Sequence, residues 1–374
     1  MRPVGAVHLY VHVPFCAHRC GYCDFVTLVG RREEHAGYVD AVLRELALER
    51  ELLGERVETI FLGGGTPTFL VPGELVRLLA ALPAAEEVTV EANPETVTPR
   101  LAASLREGVT RVSLGAQSFQ PHLLAVLERR ARPADVRRAF YHLRDANFDN
   151  ISLDLIYGIP GQSAADLKRD LAETLALAPD HVSCYELEAK PGTRFTHAHG
   201  AELARQAEAM EGYFEQVVDT LVSAGYRWYE TSNFCRGNRV ARHNLAYWLG
   251  RDYLGLGIGA VSTVGSTRWR NTPKLGTYVR ALAAGTRPPR ELEPLDQWTR
   301  GRERLMLGLR LDEPVPLAEV AGVLDAAALA RLERLGLAAR GTDSIALTRR
   351  GRFLGGGVTA ELMAETPAKT TIAS

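Results

Sequence analysis

Short runs rich in β-branched residues alternate with longer helical patterns through the first half of the chain. Six such runs are present: VHLYVHV (7–13), VETIFL (57–62), EVTVEA (87–92), TRVSLG (110–115), NISLDLI (150–156) and HVSCYEL (181–187). This alternation predicts a parallel sheet with right-handed crossovers. Because six units are too few for a closed eight-stranded barrel, we expect an α/β fold built on an open or partial (β/α)6 barrel. A doubly wound sheet has the same periodicity and stays open as the alternative.

Three stretches between these runs carry helix signals. Residues 38–53 place apolar side chains on one face. Thr98 followed by Pro99 predicts a helix start near 98–107, and Ser163 with Asp166 gives a capping signal for a helix over 163–178.

The composition changes near residue 226 and again near 286. We expect residues 1–225 to form the barrel core and residues 226–285, rich in Tyr, Trp, Asn, Arg and Gly, to extend it. The proline-rich segment TRPPRELEPLD (286–296) predicts a linker. Helical patterns and a hairpin signal over 297–364 are typical of a small winged-helix-like α+β domain. Residues 365–374 are predicted to be a disordered tail.

The charge and cysteine content narrow the class of protein. Lys and Arg number 44 against 45 Asp and Glu, and residues 296–374 carry 11 basic and 10 acidic side chains, so a basic surface for nucleic acid is not expected. No apolar run approaches the roughly 20 residues that span a bilayer, and the N-terminus lacks a signal-peptide pattern. Five cysteines form no even disulfide framework, which favours the reducing cytoplasm.

Three of these cysteines, Cys16, Cys20 and Cys23, are spaced C-x3-C-x2-C. A structural zinc site needs four ligands, but Cys184 and Cys235 stand alone in the sequence, and His18 would have to distort the loop to bind the same ion. Three thiolates can hold a [4Fe–4S] cluster and leave one iron open to a small molecule. The spacing therefore favours a chemically active cluster, with a zinc knuckle or chance clustering as the alternative.

Further polar positions follow successive predicted strands. The turn GGGTPT (63–68) comes after the second strand, and Glu91, Gln117 and Asp154 lie at or just beyond the ends of later strands. Each position alone could be a solvated strand end or a helix cap. Because the carboxyl ends of parallel strands share one rim, these residues and the cysteine loop together predict a binding or active site there.

The motifs YVHVPFCAHRCGYCDF, FLGGGTPT, VEANPE, SLGAQSF, SLDLIYGIPGQ, YELEAKPGT and RHNLAYW resemble the radical S-adenosylmethionine superfamily. Within it, they resemble the oxygen-independent coproporphyrinogen III oxidase-like family, and more closely its HemW branch of heme chaperones. The resemblance covers roughly residues 7–355, with the motifs in the family's order.

The resemblance implies three cofactors: a [4Fe–4S] cluster, S-adenosylmethionine and heme. It implies that the cluster is held by Cys16, Cys20 and Cys23, with S-adenosylmethionine at the open iron. The implied contacts to S-adenosylmethionine are Tyr10, Tyr22, Gly64, Gly65, Thr66, Glu91, Gln117, Arg129 and Asp154. Carboxylates suit its cationic groups and ribose hydroxyls, and an arginine suits its carboxylate.

Three features distinguish the oxidase and chaperone branches. The oxidases carry a fourth cysteine two residues after the third, where this chain has Phe25, and they have a longer N-terminal extension. The motif HNxxYW, at His243, Asn244, Tyr247 and Trp248, matches the chaperone branch and implies heme contact there. A neutral imidazole can ligate heme iron, but a histidine bonded in the core is the simpler interpretation.

The resemblance thus implies a heme chaperone that passes heme to acceptor hemoproteins such as respiratory enzymes, as a monomer or homodimer. The alternative is an oxidase or another porphyrin-modifying enzyme, whose radical chemistry begins with reductive cleavage of S-adenosylmethionine. The chain departs from its relatives at Val261 and Ala131, where others carry histidine.

Overall fold

A sheet of twelve strands is the framework of the computed structural model, which describes residues 5–190 and 194–365. The strands are β1 (His8–Val13), β2 (Val57–Gly64), β3 (Ala85–Ala92), β4 (Arg111–Gln117), β5 (Ile151–Tyr157), β6 (His181–Glu186), β7 (Arg227–Glu230), β8 (Asn233–Cys235), β9 (Tyr253–Leu256), β10 (Val261–Val264), β11 (Thr267–Asn271) and β12 (Arg290–Pro294). Their spatial order is β12-β11-β10-β9-β1-β2-β3-β4-β5-β6-β8-β7.

The six strands predicted from the sequence form the centre of this sheet. Strands β1 to β6 pair in chain order and all are parallel. Strand β9 adds a further parallel partner on the other side of β1, and β9 to β12 form an antiparallel meander. Within the described chain, no hydrogen bonds between strands close the barrel. The predicted α/β fold with a partial (β/α)6 barrel is confirmed.

Helices follow the central strands, as the crossovers require. In this part of the chain they are His35–Leu48, Pro72–Ala81, Pro99–Arg106, Pro121–Val126, Pro133–Asp145, Ala164–Leu177, Arg194–Gln206, Met210–Ser223, Arg242–Trp248 and Leu275–Ala283. The helix predicted over 38–53 ends at Leu48 and is followed by a 3-10 turn at Arg50–Leu52, after which Leu53 forms a bridge with Ala6 ahead of β1. Thr98 and Ser163 cap their helices through side-chain oxygens, as predicted.

The predicted linker contains a strand. Arg290–Pro294 pairs with β11 at the sheet edge, and its prolines lie before and at the end of the paired run, where proline is tolerated. Arg290 stabilises this edge: its guanidinium lies 2.5 Å from the buried Glu49 carboxylate and 5.1 Å from the centre of the Trp269 ring.

The described chain divides into two compact units. The larger comprises the described residues up to Trp228, Ser232–Ala246 and Asp252–Pro294, and the smaller comprises Tyr229–Thr231, Tyr247–Arg251 and the described residues from Leu295. The smaller unit contains helices Gln297–Gly308, Leu317–Val320, Ala326–Arg334, Arg349–Phe353 and Gly355–Leu362. Its sheet has the order β13 (Val315–Pro316), β15 (Ser344–Leu347), β14 (Ala338–Arg340), and β14 and β15 form the predicted hairpin.

The helices and sheet of the smaller unit enclose its own apolar core, which includes Leu305, Leu329, Val358 and Leu362. The predicted tail, apart from Glu365, lies outside the described residues. None of the helices described is both long enough and apolar enough to cross a membrane.

Candidate functional site at the carboxyl ends of the strands

The cysteine loop leaves the carboxyl end of β1 and closes on itself. Phe15–Cys16 pairs in parallel with Leu28–Val29, and the Gly30 N–H donates to the Cys16 carbonyl at 2.9 Å. Cys16 is buried, whereas Cys20 and Cys23 are partly exposed. All three thiols therefore lie on one loop at the rim of the barrel.

The glycine turn after β2 lies against the base of this loop. The Gly65 N–H donates to the Val13 carbonyl at 2.8 Å, and the Thr66 N–H donates to the Phe15 carbonyl at 2.9 Å. A Cβ on Gly65 would lie 2.6 Å from the Pro14 carbonyl carbon, and one on Gly64, whose φ is +102°, would lie 2.3 Å from the His12 ring. Only glycine allows the turn to lie this close to the Pro14 backbone and the His12 ring.

Two hydrogen-bond donors reach the cysteine sulfurs, one a hydroxyl group and the other a guanidinium group. The Thr66 hydroxyl donates to Cys16 Sγ at 3.4 Å, and Arg129 Nη1 donates to Cys20 Sγ at 3.6 Å. Arg129 reaches the loop because the Gly21 N–H bonds the Leu127 carbonyl at 3.3 Å, which ties the two segments together. Donors of this kind favour the anionic form of a cysteine sulfur.

Burial acts in the opposite direction on these thiols. It raises the pKa of Cys16 to about 11, although the Thr66 hydrogen bond partly offsets this, and it also raises the pKa of Cys23. A thiol with a raised pKa is a poor nucleophile at neutral pH, but coordination to a metal centre deprotonates it. The loop therefore suits metal coordination better than nucleophilic or thiol-exchange chemistry.

No three His, Cys, Asp or Glu side chains among the residues described converge closely enough to hold a single metal ion. A four-iron cluster sets a different requirement, because each thiolate binds its own iron atom.

Two carboxylates lie beside the glycine turn at the ends of β3 and β5. Glu91 Oε2 accepts the Gly64 N–H at 3.0 Å, and Asp154 accepts the Ser113 hydroxyl at 2.9 Å. Burial and, next, the charge of Asp154 raise the pKa of Glu91 to about 7. Burial likewise raises the pKa of Asp154, while the Arg111 guanidinium lowers both values. Both carboxyl groups thus lose some of their tendency to ionise, and a cationic ligand would stabilise their charged forms.

Gln117 has φ +64° at the bulge where β4 shifts register against β5. Its amide Nε2 lies 2.8 Å from where a Cβ on Gly115 would be, so the side chain folds back over that glycine. Arg129 Nη2 donates to the Gly115 carbonyl at 2.9 Å. The side chains of Gln117 and Arg129 therefore both lie beside Gly115 at the rim.

The two predicted tyrosines flank the same region. The Tyr10 hydroxyl is 2.9 Å from His12 Nδ1, and its ring stacks on Phe61 with centroids 6.2 Å apart. Burial raises the pKa of Tyr22, and the charges of Arg129, Cys20, Cys23 and Asp154 act on it as well. The structure thus brings the predicted cluster ligands and S-adenosylmethionine contacts to one rim.

His243 is not at that rim. It is fully buried in the larger unit, where its Nδ1 lies 2.7 Å from the Thr59 hydroxyl and its ring stacks on Phe61. Its backbone N–H donates to Glu87 at 3.1 Å. Thr59 and Glu87 lie near the amino ends of their strands, so His243 packs at the opposite end of the barrel interior.

The other residues of the HNxxYW motif have different surroundings. Asn244 is partly exposed, and Tyr247 and Trp248 belong to the smaller unit. There the Arg310 guanidinium lies 4.4 Å from the Trp248 ring centroid and bonds the buried Glu230 carboxylate at 2.6 Å. Of the two positions where the resemblance implies histidine, Ala131 is buried and Val261 is partly exposed at the start of β10.

Four further residues support the rim and were not predicted: His12, Asn93, Arg111 and Ser113. His12 Nε2 lies 2.8 Å from the Val26 carbonyl and so ties β1 to the cysteine loop. Ser113 and Arg111 face the barrel interior from β4, beneath the two carboxylates. His12 and Asn93 lie inside the motifs YVHVPFC and VEANPE, and this was the sequence signal that could have identified them. The role of Ser113 depends instead on its bond to Asp154, which lies 41 residues later in the chain.

Comparison with known proteins agrees with this geometry. The sequence model of the radical SAM superfamily matches residues 10–173, and that of the HemN C-terminal domain matches residues 295–354. Coproporphyrinogen III oxidase (HemN) from Escherichia coli, a radical SAM enzyme, superposes with a TM-score of 0.81 at 23% identity, covering 96% of this chain and 91% of that one. At this identity the likeness shows the fold.

The relatives by sequence are closer. Heme chaperone HemW of Mycobacterium tuberculosis is 38% identical over 95% of this chain and 94% of that protein. Heme chaperone HemW of Bacillus subtilis is 33% identical over 95% of this chain and 99% of that protein. The protein of the same name from Escherichia coli is 38% identical over 67% of this chain and 68% of its own length. This chain therefore belongs to the HemW family of heme chaperones, within the radical SAM superfamily.

Proposed function

We propose that this protein binds a [4Fe–4S] cluster, S-adenosylmethionine and heme, and that it passes heme to acceptor hemoproteins. The observation that carries the proposal is the joining of the cysteine loop, the glycine turn and the paired carboxylates at one rim, in a chain whose relatives are named heme chaperones. Membership of the radical SAM superfamily implies the cluster and S-adenosylmethionine.

The residues at the rim fit a cluster. Cys16, Cys20 and Cys23 would hold three of its irons, and the donors Thr66 and Arg129 would stabilise the negative charge on the sulfurs. The open fourth iron would take the amino and carboxylate groups of S-adenosylmethionine.

The neighbouring groups match the rest of that molecule by charge. Arg129 is partly buried, its buried Nε has no hydrogen-bond partner among the described residues, and its guanidinium would receive the methionine carboxylate. Glu91 and Asp154 would receive the cationic groups or ribose hydroxyls, with Tyr10, Tyr22 and Gln117 closing the pocket. Gly64 and Gly65 would contact the ligand through their backbone, in a turn whose lack of side chains lets it pack closely against His12 and Pro14.

Phe25 separates the chaperone proposal from the oxidase alternative. It stands where the oxidases carry a fourth cysteine, and its side chain is 62% exposed beside Cys23. Its backbone N–H lowers the pKa of the Cys23 thiol and so partly offsets the effect of burial. The oxidase keeps some support from the fold shared with HemN, so a direct assay is needed.

The test begins with anaerobic reconstitution with iron and sulfide, followed by titration with heme in the presence and absence of S-adenosylmethionine. We expect four irons and four sulfides per chain, stoichiometric heme binding, and transfer of that heme to an apo-hemoprotein. Incubation with a reductant, S-adenosylmethionine and coproporphyrinogen III should yield no protoporphyrinogen IX. Formation of that product would establish the oxidase, and protein that takes up zinc but neither iron nor sulfide would favour the structural-zinc alternative.

The position of the heme iron ligand is a separate part of the proposal. Ligation by His243 would require its ring to leave Thr59 and the barrel interior, because the side chain is fully buried. We therefore expect the Ala variant of His243 to retain heme with an unchanged absorption spectrum. Loss of heme by a variant that still binds cluster and S-adenosylmethionine would instead assign the iron to His243 and would extend the site to Asn244, Tyr247 and Trp248.

A further inference from the structure

A continuous path of hydrogen bonds joins two of the three cluster cysteines. Arg129 Nη1 bonds Cys20 Sγ at 3.6 Å, and Arg129 Nη2 bonds Asn93 Oδ1 at 3.0 Å. Asn93 Nδ2 bonds Thr66 Oγ1 at 2.9 Å, and Thr66 Oγ1 bonds Cys16 Sγ at 3.4 Å. Asn93 lies in the middle of this path, where its amide oxygen accepts from Arg129 and its amide nitrogen donates to Thr66.

The direction of every bond in this path follows from the chemistry of the groups. A guanidinium only donates, so the oxygen of the Asn93 amide must face Arg129. The amide nitrogen then faces Thr66, whose hydroxyl accepts that bond and has its own proton left to donate to Cys16 Sγ. A single amide orientation therefore sets the donors at both cysteines.

The backbone holds Asn93 in place. It follows β3 directly, Pro94 comes next, and the Asn93 carbonyl accepts both the backbone N–H and the hydroxyl of Thr96, at 3.0 and 2.7 Å. The side chain can thus orient Thr66 and Arg129 with little loss of conformational entropy.

We propose that Asn93 is a positioning residue that couples the cluster to the binding of S-adenosylmethionine. The inference rests on the proposed function, since it assumes that Cys16 and Cys20 hold a cluster and that Arg129 receives the methionine carboxylate. Asn93 fixes Arg129 for that carboxylate and, through Thr66, fixes a hydrogen bond to a cluster sulfur. Hydrogen bonds to cluster sulfurs raise the reduction potential, so the same amide sets both affinity and potential.

Two substitutions distinguish the bond of Asn93 to Arg129 from its bond to Thr66. Asn93→Asp keeps an acceptor for Arg129 but loses the donor to Thr66, and Asn93→Ala loses both. We expect Asn93→Ala to raise the Kd of S-adenosylmethionine at least about tenfold, comparable to losses on mutating outer-shell partners of metal sites. Asn93→Asp should stay within about threefold of the wild type, since it keeps a partner for Arg129.

The reduction potential of the cluster tests the path through Thr66. Thr66→Val and Asn93→Ala should each shift the potential to more negative values, and the second change should add only a smaller further shift when both are made. Thr174→Val is the matched control, because Thr174 is buried on the helix Ala164–Leu177 and its hydroxyl bonds none of the described residues. It should leave the potential and the Kd unchanged.

The outcomes distinguish this inference from the proposed function. Wild-type protein that binds no cluster or no S-adenosylmethionine contradicts the proposed function. With both bound, an unchanged potential and Kd in Asn93→Ala, or full additivity with Thr66→Val, would overturn the role of Asn93. Loss of iron by both Asn93 variants in folded protein would also overturn it, because a positioning residue outside the ligand set is not needed to retain the cluster.

Discussion

The interior of the barrel carries two polar clusters at opposite ends of the same strands. At the amino ends, His8, Thr59 and Glu87 lie in one register row on β1, β2 and β3, and they surround His243. At the carboxyl ends lie the cysteine loop, the glycine turn and the carboxylates Glu91 and Asp154. Thr59 and Gly64 mark the two levels on β2, and five residues of strand separate them by about 16 Å.

The two clusters differ in how their polar atoms are used. At the amino ends, side chains bond one another: Thr59 Oγ1 lies 2.9 Å from His8 and 2.7 Å from His243, and Glu87 accepts the N–H groups of Arg242 and His243. At the carboxyl ends, Glu91 has a raised pKa and Arg129 Nε has no partner within the described part of the chain. The first arrangement stabilises the fold, whereas the second leaves polar groups that a bound ligand would satisfy, as the proposed function requires.

The largest difference between the two clusters is expected when a proposed iron ligand at the carboxyl ends of the strands is replaced. Replacement Cys20→Ser should abolish iron and sulfide binding on anaerobic reconstitution, because a serine hydroxyl is a poor substitute for a soft thiolate ligand. Iron and sulfide analysis with visible absorption measures the result.

The control for that variant is Cys184→Ser, on β6. Cys184 is buried, and burial raises its pKa, so its thiol is neutral and serves packing. This variant should keep its full iron and sulfide content. Equal loss of iron from the two variants would mean that both cysteines act only by stabilising the fold. That result would contradict the assignment of Cys20 as a ligand and Cys184 as a structural residue.

At the amino end, the expected effect is on stability. His243→Ala removes a partner of the buried Thr59 hydroxyl and leaves a cavity beside Phe61. We expect it to lower the free energy of unfolding by about 2–4 kcal/mol. Urea unfolding of the reconstituted protein measures this, with cluster content and Kd for S-adenosylmethionine recorded on the same sample. An unchanged midpoint would show that His243 is not a structural residue.

Much of this architecture could be predicted from the sequence because it depends on local patterns. Six β-branched runs identified β1 to β6, and the order of a parallel sheet then placed Glu91, Gln117 and Asp154 on one rim. The prolines near Arg290 predicted a linker, and the division between the two units falls within it, after Pro294. Propensity did not indicate that the residues between these prolines form an edge strand held by Glu49 and Trp269. Tertiary contacts outweighed local preference there.

The contacts that complete the site depend on long-range register. Ser113 reaches Asp154 only because β4 and β5 align as they do, and Asn93 meets Arg129 only after a bulge shifts the chain at Gln117. The HNxxYW motif implied heme contact for His243, with a core histidine as the simpler interpretation. Its buried position depends on contact with Glu87, which lies 156 residues earlier in the chain. Periodicity carries no information about such pairings.

The smallest effect concerns protonation at the rim. The pKa of Glu91 is raised from its ordinary value of 4.5 to about 7, so the neutral acid dominates below that pH and the carboxylate above it. A cationic ligand prefers the carboxylate. The Kd of S-adenosylmethionine should therefore rise as the pH falls below about 7, by up to about tenfold per pH unit. Anaerobic calorimetry at successive pH values measures the slope.

The groups that act on Glu91 make the test specific. Asp154 is the neighbouring carboxylate, Tyr10 interacts with Glu91 by charge, and Arg111 is the buried cation that partly offsets the shift. Glu91→Gln cannot ionise and should bind more weakly but with a flatter pH profile, whereas Glu87→Gln, at the amino end, should keep the wild-type slope. If Glu91→Gln keeps the full slope, the proton is exchanged at Asp154 and the ligand's positive charge lies nearer β5 than β3.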